Sequence, residues 1–221
     1  MSLLASIPFI NINRLIPRQL ISPNWRDREE VLADDVNLFC WKRERPDNMI
    51  SYLDRLIQGD LIPMSLTFTD VNLADKLSKT RVLWDPDHEP LADLFWIDVH
   101  QIAQDFLQLT AHKQATLHLR VVADNACAKF HTDGYDLRLF TTYYGLGTEW
   151  LPEKAVNRAA LGSSNKKIVK NKDQTQQVAT GHVAILKGEL PNKREAVRGI
   201  VHRSPEIQQK GEKRIILRID I

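Results

Sequence analysis

The apolar period of this chain changes once, near Lys113, and that change limits the folds open to it. Before it, Leu94, Ile97, Ile102, Phe106 and Leu109 recur at mixed three- and four-residue spacing, which predicts a buried amphipathic helix from Pro90 to Leu109. After it the period is two. Thr116-Leu-His-Leu-Arg-Val-Val122 alternates, as does Cys127 to Asp133, and Leu137 to Tyr144 is rich in β-branched and aromatic residues. Strands resume at Val178–Leu186, Gly199–Arg203 and Arg214–Ile221. Helices first and strands later favour an α+β architecture over a parallel doubly wound sheet.

The N-terminal half carries less signal. Pro8, Pro17 and Pro23 mark residues 1–25 as an irregular arm, Val36 to Trp41 reads as a short strand, and Pro46-Asp-Asn opens a helix that runs through Ile57 to a C-cap at Gly59. The expected organisation is a mostly helical extension and support layer over 1–112 and a barrel over 113–221, forming one compact unit. At 221 residues and 43% hydrophobic content the chain can bury a real core, and its net charge of +2 demands no polyanionic partner. Lys154, Lys166, Lys167, Lys170 and Lys172 form a basic run with a short helix ending at Gly162; their loose spacing suits a solvated loop and argues against nucleic acid. Cys40 and Cys127 stand alone without a CxxC pair, which points to a reducing, cytoplasmic setting. Asn11, Asn13 and Arg14 interrupt the start too early for a signal peptide, and no apolar window is long enough for a membrane span.

The residues able to do chemistry lie in the strand-rich half. His131 and Asp133 sit two apart on a predicted strand, so both side chains share one face. His202, in a separate predicted strand, is the best third donor. Two imidazoles and one carboxylate on one face of an octahedral ion leave three positions open, the arrangement that suits non-haem Fe(II). His88, His100, His112, His118 and His182 take the ordinary reading of surface or core residues; His118 lies on a strand that could neighbour the site. In the last strand Ile215, Leu217, Ile219 and Ile221 share one face, which can pack on the helices, while Arg214, Ile216, Arg218 and Asp220 share the other. A buried arginine is costly without an acceptor. That acceptor is either an internal Asp or Glu or the far carboxylate of a dicarboxylate co-substrate.

Taken in order, His131-Thr-Asp133, Arg138-Leu-Phe-Thr-Thr-Tyr-Tyr144, Gly147-Thr-Glu-Trp150, Gly181 to Leu186, His202 and Arg214 resemble the Fe(II)/2-oxoglutarate dioxygenase superfamily, in particular its prolyl-hydroxylase-like branch. The resemblance covers roughly residues 115–221. It implies a double-stranded β-helix, a jelly-roll or cupin-like barrel, with the N-terminal helical layer packed on it. It also implies Fe(II) at His131, Asp133 and His202, with 2-oxoglutarate held by Arg214, or in reserve by Arg218, and hydrogen-bonded by Tyr144 or Thr142. The interval from His202 to Arg214 is slightly longer than the superfamily's, which a hairpin over Gln208-Gln-Lys-Gly-Glu212 absorbs. Gly145-Leu-Gly-Thr-Glu149 departs from the superfamily's usual loop near the metal.

Leu139 to Pro152, Ile185-Leu-Lys-Gly-Glu189 and Val201-His-Arg-Ser-Pro205 further resemble a bacterial family catalogued as domain of unknown function 1826. That resemblance implies a link to metal homeostasis and supplies the alternative: a non-redox, cupin-like protein that holds zinc with the same three donors. Cys127 would be its soft ligand, although an extended strand sets it about 13 Å from His131. A third reading is a barrel that has lost the site. The sequence names no substrate, small molecule or protein, and sets no oligomeric state.

Overall fold

The structure, a computed structural model, describes residues 16–59, 61–87, 89–190 and 198–221. Three strands precede residue 113: β1 (Arg18–Ser22), β2 (Val36–Trp41) and β3 (Met64–Phe68). A 3-10 segment, Trp25–Leu32, joins the first two. The helices of this half are α1 (Asp47–Leu56), α2 (Leu73–Trp84) and α3 (Ala92–Leu109). Beyond them come β4 (Ala115–Val122), β5 (Leu137–Tyr144), β6 (Glu149–Leu151), a one-turn α4 (Asn165–Ile168), β7 (Gln176–Gln177), β8 (Val183–Lys187), β9 (Val201–Arg203) and β10 (Arg214–Asp220). No described helix is long and apolar enough to cross a membrane.

The architecture is mixed α/β, with one large sheet and few helices. The large sheet has seven strands in the order β1-β2-β8-β5-β10-β4-β3, and a small one runs β7-β6-β9. In the large sheet only β1 and β2 pair in parallel. The last strand is interior, with β4 on one side and β5 on the other. Because β1, β2 and β3 lie in the same sheet as the later strands, the sheet does not divide between residues 112 and 113.

Alternation along the strands sorts the side chains into two sets. Leu117, Leu119, Leu139, Ile185, Ile215, Leu217 and Ile219 are fully buried in one cluster with Leu53 of α1 and Phe95, Val99, Ile102 and Phe106 of α3. On the opposite face, Leu38, Cys40, Phe140, Ala184 and Leu186 meet Trp150 of the small sheet and Ile200. Each large aliphatic residue so buried contributes about 1.5–3 kcal/mol.

Several expectations need correction. In α3 the buried face runs through Phe95, Val99, Ile102 and Phe106, and Ile97 is exposed, so the true stripe is rotated from the one the sequence suggested. Within the proline-marked arm, residues 18–22 form β1, an edge strand that places no proline in its ladder; residues 1–15 lie outside those described. Residues 127–133 are not a strand. Only His131 bridges, and it bridges to His202. In the small sheet β9 falls within the strand expected at Gly199–Arg203, whereas β6, β7, β3 and α2 had no readable period.

Candidate metal centre

His131 and His202 are brought together by their backbones. Each amide N–H donates to the other's carbonyl at 3.0 Å. Such a reciprocal antiparallel pair points its two side chains the same way, and the ring centroids stand 4.6 Å apart. The loop that carries His131 is tied down by side chains instead of a ladder. Asn165 accepts from the Phe130 N–H at 2.8 Å and donates to the Ala128 carbonyl at 2.8 Å.

Asp133 is fixed from behind. Its carbonyl accepts from the Glu189 N–H at 2.7 Å. A side chain on Gly188 would overlap the carbonyls of Asp133 and Tyr135, so only glycine lets the two segments approach this closely. The Glu189 carboxylate in turn accepts from the Gly199 N–H at 3.1 Å and from Arg158 at 2.9 Å. One glycine therefore braces the segments leading to Asp133 and to His202.

The donor atoms converge. His131 Nε2 lies 3.6 Å from Asp133 Oδ1 and His202 Nε2 lies 3.4 Å from Oδ2. One ligand atom from each of the three residues falls within 4.8 Å of the others. Both Nδ1 atoms are occupied elsewhere, at 2.8 Å from the Lys129 carbonyl and 3.3 Å from that of Ile200. Carbonyl acceptors at Nδ1 fix the tautomer that leaves the Nε2 lone pair free, as metal-binding imidazoles require. Asp133 Oδ2 is buried without a hydrogen bond. A buried carboxylate oxygen left in that state is costly, and a cation among these donors would satisfy it. The residues present fit a divalent ion.

Charge is arranged to match. Burial alone would push the Asp133 carboxyl up, but the His131 ring, His202 and Arg138 hold it down at about 2. Burial pushes the His202 imidazole down to about 4, so its ring is neutral near pH 7. Arg138 donates to Asp133 Oδ1 at 2.7 Å and to Asp220 at 2.6 Å, which orients the carboxylate and leaves Oδ2 toward His202.

His131 and His202 open onto a cavity of about 170 Å³, with Asp133 behind them. Arg214 lies in its wall, 2% exposed, with no carboxylate partner among the described residues. Its Nη2 donates to the Thr142 and Thr148 hydroxyls at 3.1 and 3.3 Å, and its Nε has no acceptor. Burial pushes this guanidinium down to about 10, partly offset by Glu149. Gly145, with φ of +78°, keeps the neighbouring backbone clear of it; a side chain there would meet the Lys213 carbonyl and Arg214 Cγ.

The other expected residues divide. Thr142 joins the site as an acceptor for Arg214. Tyr144 does not face the cavity: an extra residue in β5 opposite Ile215 and Ile216 turns both Tyr143 and Tyr144 toward the helix-side cluster. Arg218 lines the cavity but lies 3.0 Å from Asp220, which also serves Arg138. Cys127 lines the cavity without joining the three donors. Arg138, Thr148 and Asp220 carried no role of their own in the sequence, because their roles arise from pairing between strands distant in the chain. His118, opposite Arg218 in the register, does line the cavity.

A family model described as protein of unknown function (DUF1826) matches residues 22–220. The chain belongs to the DUF1826 family. No curated protein matches it. Among solved structures, this DUF1826 chain is similar to the dioxygenase for auxin oxidation 1 of Arabidopsis thaliana in its 2-oxoglutarate binary complex, with 8% identity, coverage of 93% of this chain and 92% of that one, and a TM-score of 0.47. It is also similar to a prolyl-4-hydroxylase of Pseudomonas putida at 10% identity, 94% coverage of both chains and a TM-score of 0.43. For the dioxygenase for auxin oxidation of rice the identity is 11%, the coverage 83% of this chain and 72% of that one, and the TM-score 0.43.

Proposed function

We propose that this DUF1826 protein is a non-haem Fe(II)- and 2-oxoglutarate-dependent oxygenase, its two sheets forming the halves of a double-stranded β-helix. One observation carries the reading: His131 and His202, which converge with Asp133, line the same cavity as a buried guanidinium that has no carboxylate partner among the described residues. His131, Asp133 and His202 would hold the iron, and Arg214 with Thr142 and Thr148 would hold the far carboxylate of the co-substrate. Iron and 2-oxoglutarate together supply the activation of oxygen, with the co-substrate cleaved to succinate and carbon dioxide as the substrate is oxidised.

The chain's own residues prepare that chemistry. Arg214 offers a charge-assisted, fork-shaped contact whose cost of burial is already met in the fold. Arg138 keeps Asp133 from rotating, and the carbonyls of Lys129 and Ile200 keep both imidazoles in register. Val122, Phe140 and Ile216 give the cavity apolar wall that limits water. Zinc would accept the same donors, but a zinc carrier gives Arg214 nothing to bind. Two free cysteines suit a cytoplasmic setting.

Fe(II)-loaded protein given 2-oxoglutarate and oxygen is expected to release succinate, and His131→Ala to release none. Stoichiometric Fe(II) binding without any 2-oxoglutarate cleavage would overturn the reading.

A further inference from the structure

The cavity wall contains more positive charge than the metal and co-substrate require. Five arginines line it, Arg120, Arg138, Arg203, Arg214 and Arg218, and no Asp or Glu does. The carboxylates behind the wall account for three of them. Arg138 has Asp133 and Asp220, Arg203 has Glu149 at 2.6 Å and Glu206 at 3.0 Å, and Arg218 shares Asp220. Arg214 and Arg120 have no carboxylate among the described residues. The first is buried and, on the proposed function, belongs to 2-oxoglutarate. The second is exposed and needs another explanation.

Register puts Arg120 beside further unmet donors. On β4, His118 and Arg120 face the cavity, since Leu117 and Leu119 face the helices. His118 is opposite Arg218, and Arg120 is opposite Ile216, the residue between Arg214 and Arg218 on the same face. Arg218 Nε and His118 Nδ1 are both buried without a hydrogen bond; Asp220 Oδ2 lies 3.0 Å from Arg218 Nε and 3.6 Å from the other ring nitrogen of His118, Nε2. Along β10, Arg218 is four residues from Arg214, about 13 Å in an extended strand, too far for the two to share one small dicarboxylate end to end with the metal. The cavity thus has two cationic centres.

We infer that Arg120, Arg218 and His118 form a second anion site, and that the molecule oxidised by this protein is a small compound carrying a carboxylate or phosphate group bound there. The inference rests on the oxygenase reading for the role of Arg214. A compact anion fits better than a polymer because Arg218 and His118 are recessed in the wall, where only a group able to enter the cavity reaches them.

The test is calorimetric titration of inorganic phosphate, and in a parallel arm acetate, into protein holding Mn(II) and saturating 2-oxoglutarate. Saturable binding is expected for at least one anion, about tenfold weaker in Arg120→Gln and in Arg218→Gln. The arm that binds more tightly assigns phosphate or carboxylate. Anion binding that is absent, or equal in wild type and both variants, overturns the second site. A single-stranded oligonucleotide that binds through Arg120 when neither small anion does would also overturn it, in favour of a polymer. Failure of 2-oxoglutarate itself to bind, read in a preceding titration of 2-oxoglutarate into the Mn(II) protein, counts against the oxygenase reading separately, and Arg120-dependent phosphate binding is still scored in its absence.

Discussion

The space between the two sheets has two ends, and they are built on opposite principles. Toward β2 and β8 it is filled with Leu38, Cys40, Ala184 and Leu186, closed by Phe140 and Trp150. Toward β10 and β4 the same sheet face presents Arg214, Ile216, Arg218, His118 and Arg120 around a cavity. The filled end satisfies itself by burying apolar surface. The open end holds guanidiniums whose internal carboxylates run out, so its stability is incomplete without a ligand. Proteins accept such local cost at functional sites and offset it elsewhere.

This contrast can be broken at either end. At the filled end, Leu186→Ala leaves a cavity and is expected to cost about 2–5 kcal/mol in denaturant unfolding. A cost under about 1 kcal/mol would mean that this end is not the support. At the open end, Arg138→Ala frees the Asp133 carboxylate and should weaken Mn(II) binding by about 10–100-fold in chelator competition. Tighter binding would instead make Arg138 a competitor of the ion. Asn165→Ala removes both side-chain ties on the loop before His131 and should cost about 1–3 kcal/mol, with weaker metal binding in the folded protein. Unchanged metal affinity would show that the His131–His202 backbone pair positions the ring alone. The smallest effect is the most telling: Arg214→Met should leave ligand-free stability unchanged or raise it by about 1 kcal/mol. A large loss would assign Arg214 to the fold.

How much of this was legible in the sequence follows from how local each signal is. The residues of β2, β5 and β10 announce themselves by β-branched or alternating composition, and the two faces of β10 could be assigned from alternation alone. His131, Asp133 and His202 were legible as candidates for the same reason. The structure brings them together by a different route, a tethered loop with one bridge in place of a strand. Tyr144 was misplaced because one extra residue in β5 reverses its face, and nothing in the composition of the segment marks the bulge. The partners of Arg138, Asp133 and Asp220, come from positions on either side of it in sequence, Asp220 far away, and only the pairing of β5 with β10 joins them. Arg120 drew no separate reading in its alternating strand; its meaning lies in the carboxylate partner it lacks among the described residues.

The central claim is that the three donors and Arg214 form one site for metal and dicarboxylate. It is tested most directly by titrating 2-oxoglutarate into anaerobic protein with and without Fe(II), in wild type and Arg214→Met. One bound molecule per chain is expected, and its binding should require both Fe(II) and Arg214. Binding indifferent to either, or no binding to protein that holds Fe(II) tightly, would contradict it.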